Sequence, residues 1–440
     1  MLHTVLCCIL LTVLAHADVY YPVTLDECYQ KAFIHNPDIQ QARLDLERAA
    51  GTKLVFTSRA FPRAAAELKA GVSVGDLYAG AMTPIAVISA AAAQPLFDTS
   101  IPATLRRGTL EVILAEQQLH RVASEQMHAV RVAFWQTVLA RELARIQREI
   151  AECIAMNVKR EQERLAAGQV GKQAVRQAEI QALNLQVDLS RIEREQRATA
   201  IELALLLGES VTTGAVVRLP APEGILAYTP LVVDVASESG RALVHRPDLC
   251  WLREMIRAIR ENQSVIEAGL FPFITLASSG QYLPESVLSP HSQGVVPGRN
   301  LPKSEVLYGA TWMWRVGDNG AIIGASRRVV AAREAMELTL RRLEENVPRE
   351  LAMLSGATEM TTAKVTALRS SAQQAKELLQ LAESRVALGE ATQLDYRNAQ
   401  ASLLSTQTGL AQAAFEGELT RAELDRITGH YLDINLKVTP

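Results

Sequence analysis

Between Thr109 and Ala167 the sequence contains neither glycine nor proline. Apolar residues recur there at steps of three and four: Leu119, Val122, Met127, Val130 and Phe134, then Leu139, Leu143, Ile146, Ile150, Ile154 and Val158. Polar and charged side chains fill the gaps. That spacing lines the apolar residues along one stripe of an α-helix. At 1.5 Å per residue a continuous helix over this stretch is about 90 Å long. No ordinary globular core needs such a length, so the helix must pack along its side, in a coiled coil or a helical barrel. The turn signal Ala166-Ala167-Gly168-Gln169-Val170-Gly171 follows. A return helix is expected from about Lys172 to Leu207, with Gly208 as its stop.

The chain also repeats itself. Residues 31–39 read KAFIHNPDI and residues 241–249 read RALVHRPDL, a shift of 210 that Phe61-Pro62 and Phe271-Pro272 preserve. Further on, Arg164 to Gly168 (RLAAG) matches Arg385 to Gly389 (RVALG) at a shift of 221. Arg176, Ala178, Leu183 and Gln186 then match Arg397, Ala399, Leu404 and Gln407, and Gly208 matches Gly429. The order is kept throughout, so one loop between Pro272 and Asp318 is longer in the second copy. Chance likeness between helices of similar composition does not give an ordered series anchored by proline and glycine. Residues 211–230, with Gly214, Pro220, Pro222, Gly224 and Pro230, have linker composition. The expected plan is a signal segment over 1–17, a first repeat over 18–210, a linker over 211–230 and a second repeat over 231–440.

Each repeat has the same internal order. A short helix ends near His35; Asn36 suits an N-cap, Pro37 the first helical position and Asp38 the first turn. A second helix should reach about Ala60 and stop at Phe61-Pro62. The period then changes. From Ala64 to Val74 the even positions are Ala, Ala, Leu, Ala, Val and Val, whereas Glu67, Lys69 and Ser73 stand among the odd ones. Such alternation fits a transmembrane barrel strand, and equally a half-buried strand of a soluble sheet. Asp76 to Pro84 reads as a loop and Ile85 to Phe97 as a second strand. In the second repeat, Phe273 to Leu283 and Tyr308 to Val316 are the strands, separated by a Gly/Pro/Ser-rich loop. Tyr308, Trp312 and Trp314, with Tyr78 in the first repeat, are candidate membrane-interface aromatics; packing in a soluble core is the other reading of the pattern.

The N-terminus reads as a secretory signal: Val5 to Leu14 is apolar, and Ala15-His16-Ala17 supplies the small residues of a cleavage site. At about 15 Å that run is too short to anchor the chain across a hydrocarbon core of about 30 Å. No later apolar stretch reaches spanning length, so a membrane location must use strands. Cys28, Cys153 and Cys250 remain after cleavage, an odd number with no disulfide or metal spacing, which suggests small buried hydrophobes. A net charge of −3 with 21% charged residues leaves no electrostatic footprint for nucleic acid. There is no G-x-S-x-G, H-E-x-x-H, phosphate loop or C-x-x-C. His120 and His128 sit too far apart along one helix to share a metal. No catalytic residue, metal or cofactor is therefore expected. His35 and His245 repeat each other, which points to a structural role.

The duplication, the starts at Asn36-Pro37-Asp38 and Arg246-Pro247-Asp248, the strand exits at Pro95-Leu96-Phe97-Asp98 and Val316-Gly317-Asp318, and the Arg164/Gly168 and Arg385/Gly389 turns resemble the TolC-like outer-membrane efflux family over nearly the whole mature chain. The resemblance implies a mostly helical fold with a transmembrane β part. Four strands per protomer would enter a shared twelve-stranded barrel of a homotrimer, and long helical hairpins would form a periplasmic α-barrel. It implies an outer-membrane exit duct of a tripartite efflux or type I secretion system. The partners would be a periplasmic adaptor (membrane fusion protein), an inner-membrane RND or ABC pump, and outer-membrane lipid. The hairpin tips, with Arg164, Gly168, Gly171, Arg385 and Gly389, would meet the adaptor. Two departures stand out. Pro348 and Gly356 fall inside the second long helix, expected from about Ala325 to Leu388, and are expected to bend or interrupt it. The first tip carries Lys159, Arg160, Arg164 and Lys172 rather than an acidic pair. That is either an anion-favouring constriction or a solvated face partnered by Glu161 and Glu163. A periplasmic adaptor or coiled-coil scaffold without its own pore is the alternative to the duct.

Overall fold

The computed structural model describes residues 18–73, 83–168, 170–209, 212–213, 216–282, 304–388 and 390–432. Residues 1–17, which the sequence reads as a signal, Tyr78, Gly389 and residues 283–303 lie outside them.

The chain opens with strand β1 (Asp18–Val23), then helices α1 (Leu25–His35) and α2 (Pro37–Thr57). Strands β2 (Arg63–Ser73) and β3 (Thr83–Phe97) lead into the long hairpin of α3 (Ser100–Ala166) and α4 (Lys172–Leu206). After β4 (Thr212–Thr213) and β5 (Val216–Pro222) the pattern recurs as α5 (Val235–His245), α6 (Pro247–Glu267), β6 (Phe273–Tyr282), β7 (Ser304–Met313), α7 (Ala321–Ala387) and α8 (Gln393–Thr428). The two copies agree closely. α1 and α5 have 11 residues each, α2 and α6 have 21, and α3 and α7 have 67. The first helices begin 210 positions apart and the long helices 221 apart, as the sequence repeats require.

Local chemistry sets these boundaries. Thr24 caps α1 through a capping box with Glu27. Asn36 caps α2, its Oδ1 accepting from the amides of Asp38 (2.9 Å) and Ile39 (3.3 Å). Its Nδ2 donates to the Leu206 carbonyl (2.9 Å) and Gln126 Oε1 (3.1 Å), so one buried side chain ties three helices. The repeat position holds Arg246, buried and paired with Asp248 (3.0 Å) and Glu350 (2.7 Å).

The chain divides into two units. The first comprises residues 1–44, 117–250 and 342–440. Its core joins Cys28, Tyr29 and Ile39 to Met127, Phe134, Leu203, Leu207 and Tyr431. Cys28 and Cys153 are buried free thiols, as expected, but Cys250 is only half-buried. Burial pushes the Cys28 thiol up to about 12. The second unit comprises Asp45–Glu116 and Trp251–Arg341 and holds the four-stranded sheet, in the order β2-β3-β6-β7 with all neighbours antiparallel.

Three sequence expectations need correction. α7 runs unbroken through Pro348 and Gly356. Pro348 therefore does not interrupt it: the lost hydrogen bond to the Glu344 carbonyl and the ring's crowding of that carbonyl are local, and the fully buried neighbours Val347 and Leu351 hold the helix on either side. β7 begins at Ser304 and ends at Met313, so Trp314 and Val316 lie beyond the strand. There Asp318 caps α7, accepting from the amides of Gly320 (3.0 Å) and Ile322 (2.7 Å), and the chain has already turned toward the helix. Finally, part of the linker is a strand: β5 pairs in parallel with β1, from Asp18↔Val217 to Val23↔Pro222. Pro220 and Pro222 are tolerated because β4 pairs only with Val216 and Val217, which leaves that side of β5 free at both prolines among the described residues.

Candidate functional site

The four-stranded sheet has two chemically distinct faces, which its register defines. Glu67, Ser89, Gln281 and Glu305 are successive cross-strand partners and so share a face. Ala65, Ala91 and Ser279 extend the same face, as do Arg63, Ala93, Ala277 and Gly309. Lys69 pairs with Glu67 at 3.0 Å, and Gln281 donates to Glu305 at 3.1 Å. A hollow of about 390 Å³ lies over this face, lined by Glu67, Ser89, Gln281 and Glu305 among others.

The opposite face carries Ala64, Ala66 and Leu68 from β2, and Ile88, Ala90 and Ala92 from β3. Ile274, Leu276 and Tyr282 come from β6, and Val306, Tyr308, Ala310 and Trp312 from β7. Gln94, Ser278 and Ser304 are the polar exceptions. Leu68 (67% exposed), Tyr308 (77%) and Trp312 (61%) are large apolar side chains in contact with solvent in the single chain. Val87, Phe273, Leu307 and Met313 share the face of Glu67, but every charged residue of the four described strands stands on that face and none on the other. That contrast is the dyad pattern of a strand between water and lipid. The outer strands β2 and β7 each have one neighbour among the described strands, so their outer edges are unpaired.

Two of the predicted interface aromatics meet: Trp312 and Trp314 stack edge to face with centroids 6.3 Å apart. Trp314 also donates through Nε1 to the Leu270 carbonyl (3.1 Å), which fixes it below the strand.

The hairpin turns sit where the sequence puts them. Gly168 follows α3 with φ +72°, and its amide closes on the Leu165 carbonyl at 3.0 Å. Gly171 is the N-cap of α4 in ordinary extended backbone, so it does not require glycine. At the second turn, Thr392 caps α8 through a capping box with Asp395. Hydrogen bonds from the Thr392 hydroxyl (2.7 Å) and amide (2.8 Å) hold the Asp395 carboxyl below its usual range. Arg385 approaches Glu390 at 3.9 Å, and Arg164 approaches Glu161 at 3.3 Å.

Sequence reasoning read Glu161 as a solvated partner. It is buried, and it also accepts from Arg397 of α8 at 3.3 Å. The signal was faint: Arg397 repeats Arg176, yet Arg176 is exposed and pairs with its own helix at Glu179. Arg148 joins α3 to α4 through Glu193 (3.1 Å), and Lys364 joins α7 to α8 through Glu416 (2.7 Å). Arg131 on α3 pairs with Asp425 and, at 3.6 Å, with Glu418 on α8, and Cys153 donates to Gln400 at 2.6 Å. The helices are therefore linked in the order α4-α3-α8-α7. Among the described residues no helix is long and apolar enough to cross a membrane, and no cluster of side chains fits a metal.

Comparison with known proteins agrees with this geometry. Residues 28–209 match the family model described as outer membrane efflux protein. A comparison with curated proteins gives no match. Among solved structures, the outer membrane protein VceC of Vibrio cholerae superposes with TM-score 0.72 at 18% identity, covering 92% of this chain and 96% of that one. The CmeC outer membrane channel of Campylobacter jejuni gives TM-score 0.76 at 13% identity, covering 92% and 85%. The MtrE outer membrane channel of Neisseria gonorrhoeae gives 0.71 at 17%, covering 92% and 88%. The first repeat thus resembles the outer membrane efflux protein family over residues 28–209, and nearly the whole chain has the fold of these outer membrane channel structures.

Proposed function

We propose that this chain is one protomer of a homotrimeric outer-membrane exit duct that conducts cargo passively. An inner-membrane pump of the RND or ABC class would deliver the cargo through a periplasmic adaptor. The observation that carries this reading is the four-stranded sheet, apolar on one face, polar on the other and unpaired at both edges. Lipid cannot hydrogen-bond an open strand edge, so such a sheet must close on further copies. Edge β7 of one protomer meeting edge β2 of the next is a head-to-tail contact that closes into a ring. Three copies would supply twelve strands. The polar face would then line the bore, and Tyr78, Tyr308, Trp312 and Trp314 would stand at the membrane interface.

The helical hairpins would lie in the periplasm, with Arg164, Gly168, Gly171, Arg385 and Gly389 at the turns that meet the adaptor. The domain plan follows: a signal over 1–17 and two repeats, 18–210 and 231–440, joined by 211–230. A passive duct needs no catalytic residue, in keeping with the efflux-protein family that residues 28–209 match. A coiled-coil scaffold without a pore leaves the two-faced sheet unexplained.

Membrane fractionation with native mass of the detergent-solubilised protein tests the proposal. Three chains per particle from the outer-membrane fraction are expected, with discrete conductance steps in planar bilayers. A soluble monomer or dimer would overturn it.

A further inference from the structure

The helical unit contains a hollow of about 580 Å³ that the duct reading does not use. Its floor is α3 and its sides are α4 and α8, so it lies where the two hairpins adjoin. Ile150, Ile154, Leu185 and Leu404 give it apolar lining. Much of the remainder is polar, including Asn157, Asp188 and Arg397.

One of these polar groups is left unsatisfied. Arg397 spends its terminal nitrogen on Glu161, while its Nε is buried without a partner. Asn157, only 5% exposed, stands in the same lining. A buried guanidinium N–H without a partner costs about 1–3 kcal/mol, so Arg397 calls for a partner from whatever fills the hollow. The volume lies within the roughly 300–1,000 Å³ of small-molecule sites and far exceeds the ~30 Å³ of one water.

The chemistry narrows the occupant. Glu161 faces both Arg164 and Arg397, and Asp188 adds a second carboxylate to the lining, so the two charges of each sign offset and the site offers little to a strong anion. Arg397 Nε–H needs an acceptor, Asn157 offers both a donor and an acceptor, and the apolar side chains need apolar surface. We propose that this hollow binds a neutral amphiphilic organic molecule, its ring or short chain on the apolar lining and its hydroxyl or carbonyl groups on Asn157 and Arg397. Such a ligand would touch α3, α4 and α8 together and thereby tie one hairpin to the other.

Equilibrium dialysis of the solubilised full-length oligomer against 4-nitrophenyl-β-D-glucopyranoside tests this, since that probe joins an aromatic ring to hydroxyls and absorbs in the near ultraviolet. Saturable uptake of about one probe per chain is expected. Asn157→Leu removes the amide and should weaken uptake about tenfold or more, the loss expected for a hydrogen bond worth about 1.4 kcal/mol. Ala401 lines the hollow but is exposed on α8, so Ala401→Trp fills it without displacing core side chains. That variant should abolish uptake while keeping the wild-type native mass and conductance. No saturable uptake by wild type, or wild-type uptake in either variant, overturns the proposal. Conductance of the same preparations is read separately, so failure here is distinguishable from failure of the duct reading.

Discussion

Gly208 and Gly429 follow the two return helices in left-handed conformation, with φ +70° and +73°. Each closes against the carbonyl of a repeat-related histidine, Gly208 on His35 and Gly429 on His245. A Cβ on Gly429 would stand 2.6 Å from the His245 oxygen, and one on Gly208 nearer still to that of His35. At both positions the backbone of the repeat-related histidine is what the helix end packs on. Gly168 has φ +72° but nothing within 4 Å of its Cβ position. Gly168→Ala should therefore cost only the left-handed penalty of about 1–2 kcal/mol. Gly208→Ala adds overpacking against backbone and should cost about 2–5 kcal/mol in total. Thermal unfolding of the two variants ranks them, and equal midpoints would refute the contact.

Glu209, next in the chain, gives a pH prediction. Burial pushes its carboxyl up, but hydrogen bonds from Lys31 (2.8 Å) and Tyr21 outweigh it and hold the group below its ordinary 4.5. A carboxyl depressed in the folded state stabilises above its unfolded pKa, and that stabilisation fades as pH falls through the folded value. Wild-type stability should thus decline below about pH 4.5, and Glu209→Gln should lower stability at pH 7 while flattening that acid limb. An unchanged acid limb in the variant would count against it.

Elements were legible where a short-range rule governs them. The Gly- and Pro-free run predicted α3, the repeat shifts of 210 and 221 reappear as helix starts, and Asn36 caps its helix as read. What escaped was set at long range or by compensation. β5 is held by β1, some two hundred residues away, and its prolines disguised it as linker. Pro348 breaks a local rule, but tertiary burial on either side restores the helix. Trp314 continues the alternation of β7 in sequence, yet its indole is anchored on Leu270 after the strand has ended.

The faces of β3 give a sharp test at this scale. Ser89 and Ala90 are adjacent, but register puts Ser89 on the face of Glu67 and Ala90 on that of Val306. Arginine toward lipid costs about 2–4 kcal/mol mid-membrane, whereas a water-lined face accepts it. Ala90→Arg should sharply reduce assembled oligomer in the outer membrane, and Ser89→Arg should leave it near wild type. Equal loss in both variants would mean that the sheet does not lie between lipid and water as proposed.

At the scale of the whole molecule, the sequence could carry strand number, duplication and hairpins, because each is written in periodicity. It could not carry which side chains cooperate across hairpins. Glu161 and Arg397 are 236 positions apart, and only the fold makes the first a buried bridge. The same holds for the bore. Among the polar-face residues of the described strands, Arg63, Glu67, Lys69 and Glu305 sum to no net charge, and Lys69 already pairs with Glu67. Among the described residues Glu305 has the neutral Gln281 as its hydrogen-bond partner and no ion pair, so of these two carboxylates its field is the less cancelled. In the proposed trimer each chain contributes one copy of it to the lumen. Glu305→Lys would replace three negative charges by three positive ones in a pore whose low-dielectric wall focuses the field. Its reversal potential in a potassium chloride gradient should move toward anion preference, by more at low salt than at high salt because mobile ions screen the ring. Glu67→Gln, which removes a charge but leaves Lys69 unpaired, should shift it in the same direction by less. A reversal potential that ignores both changes would place this face away from the conducting path.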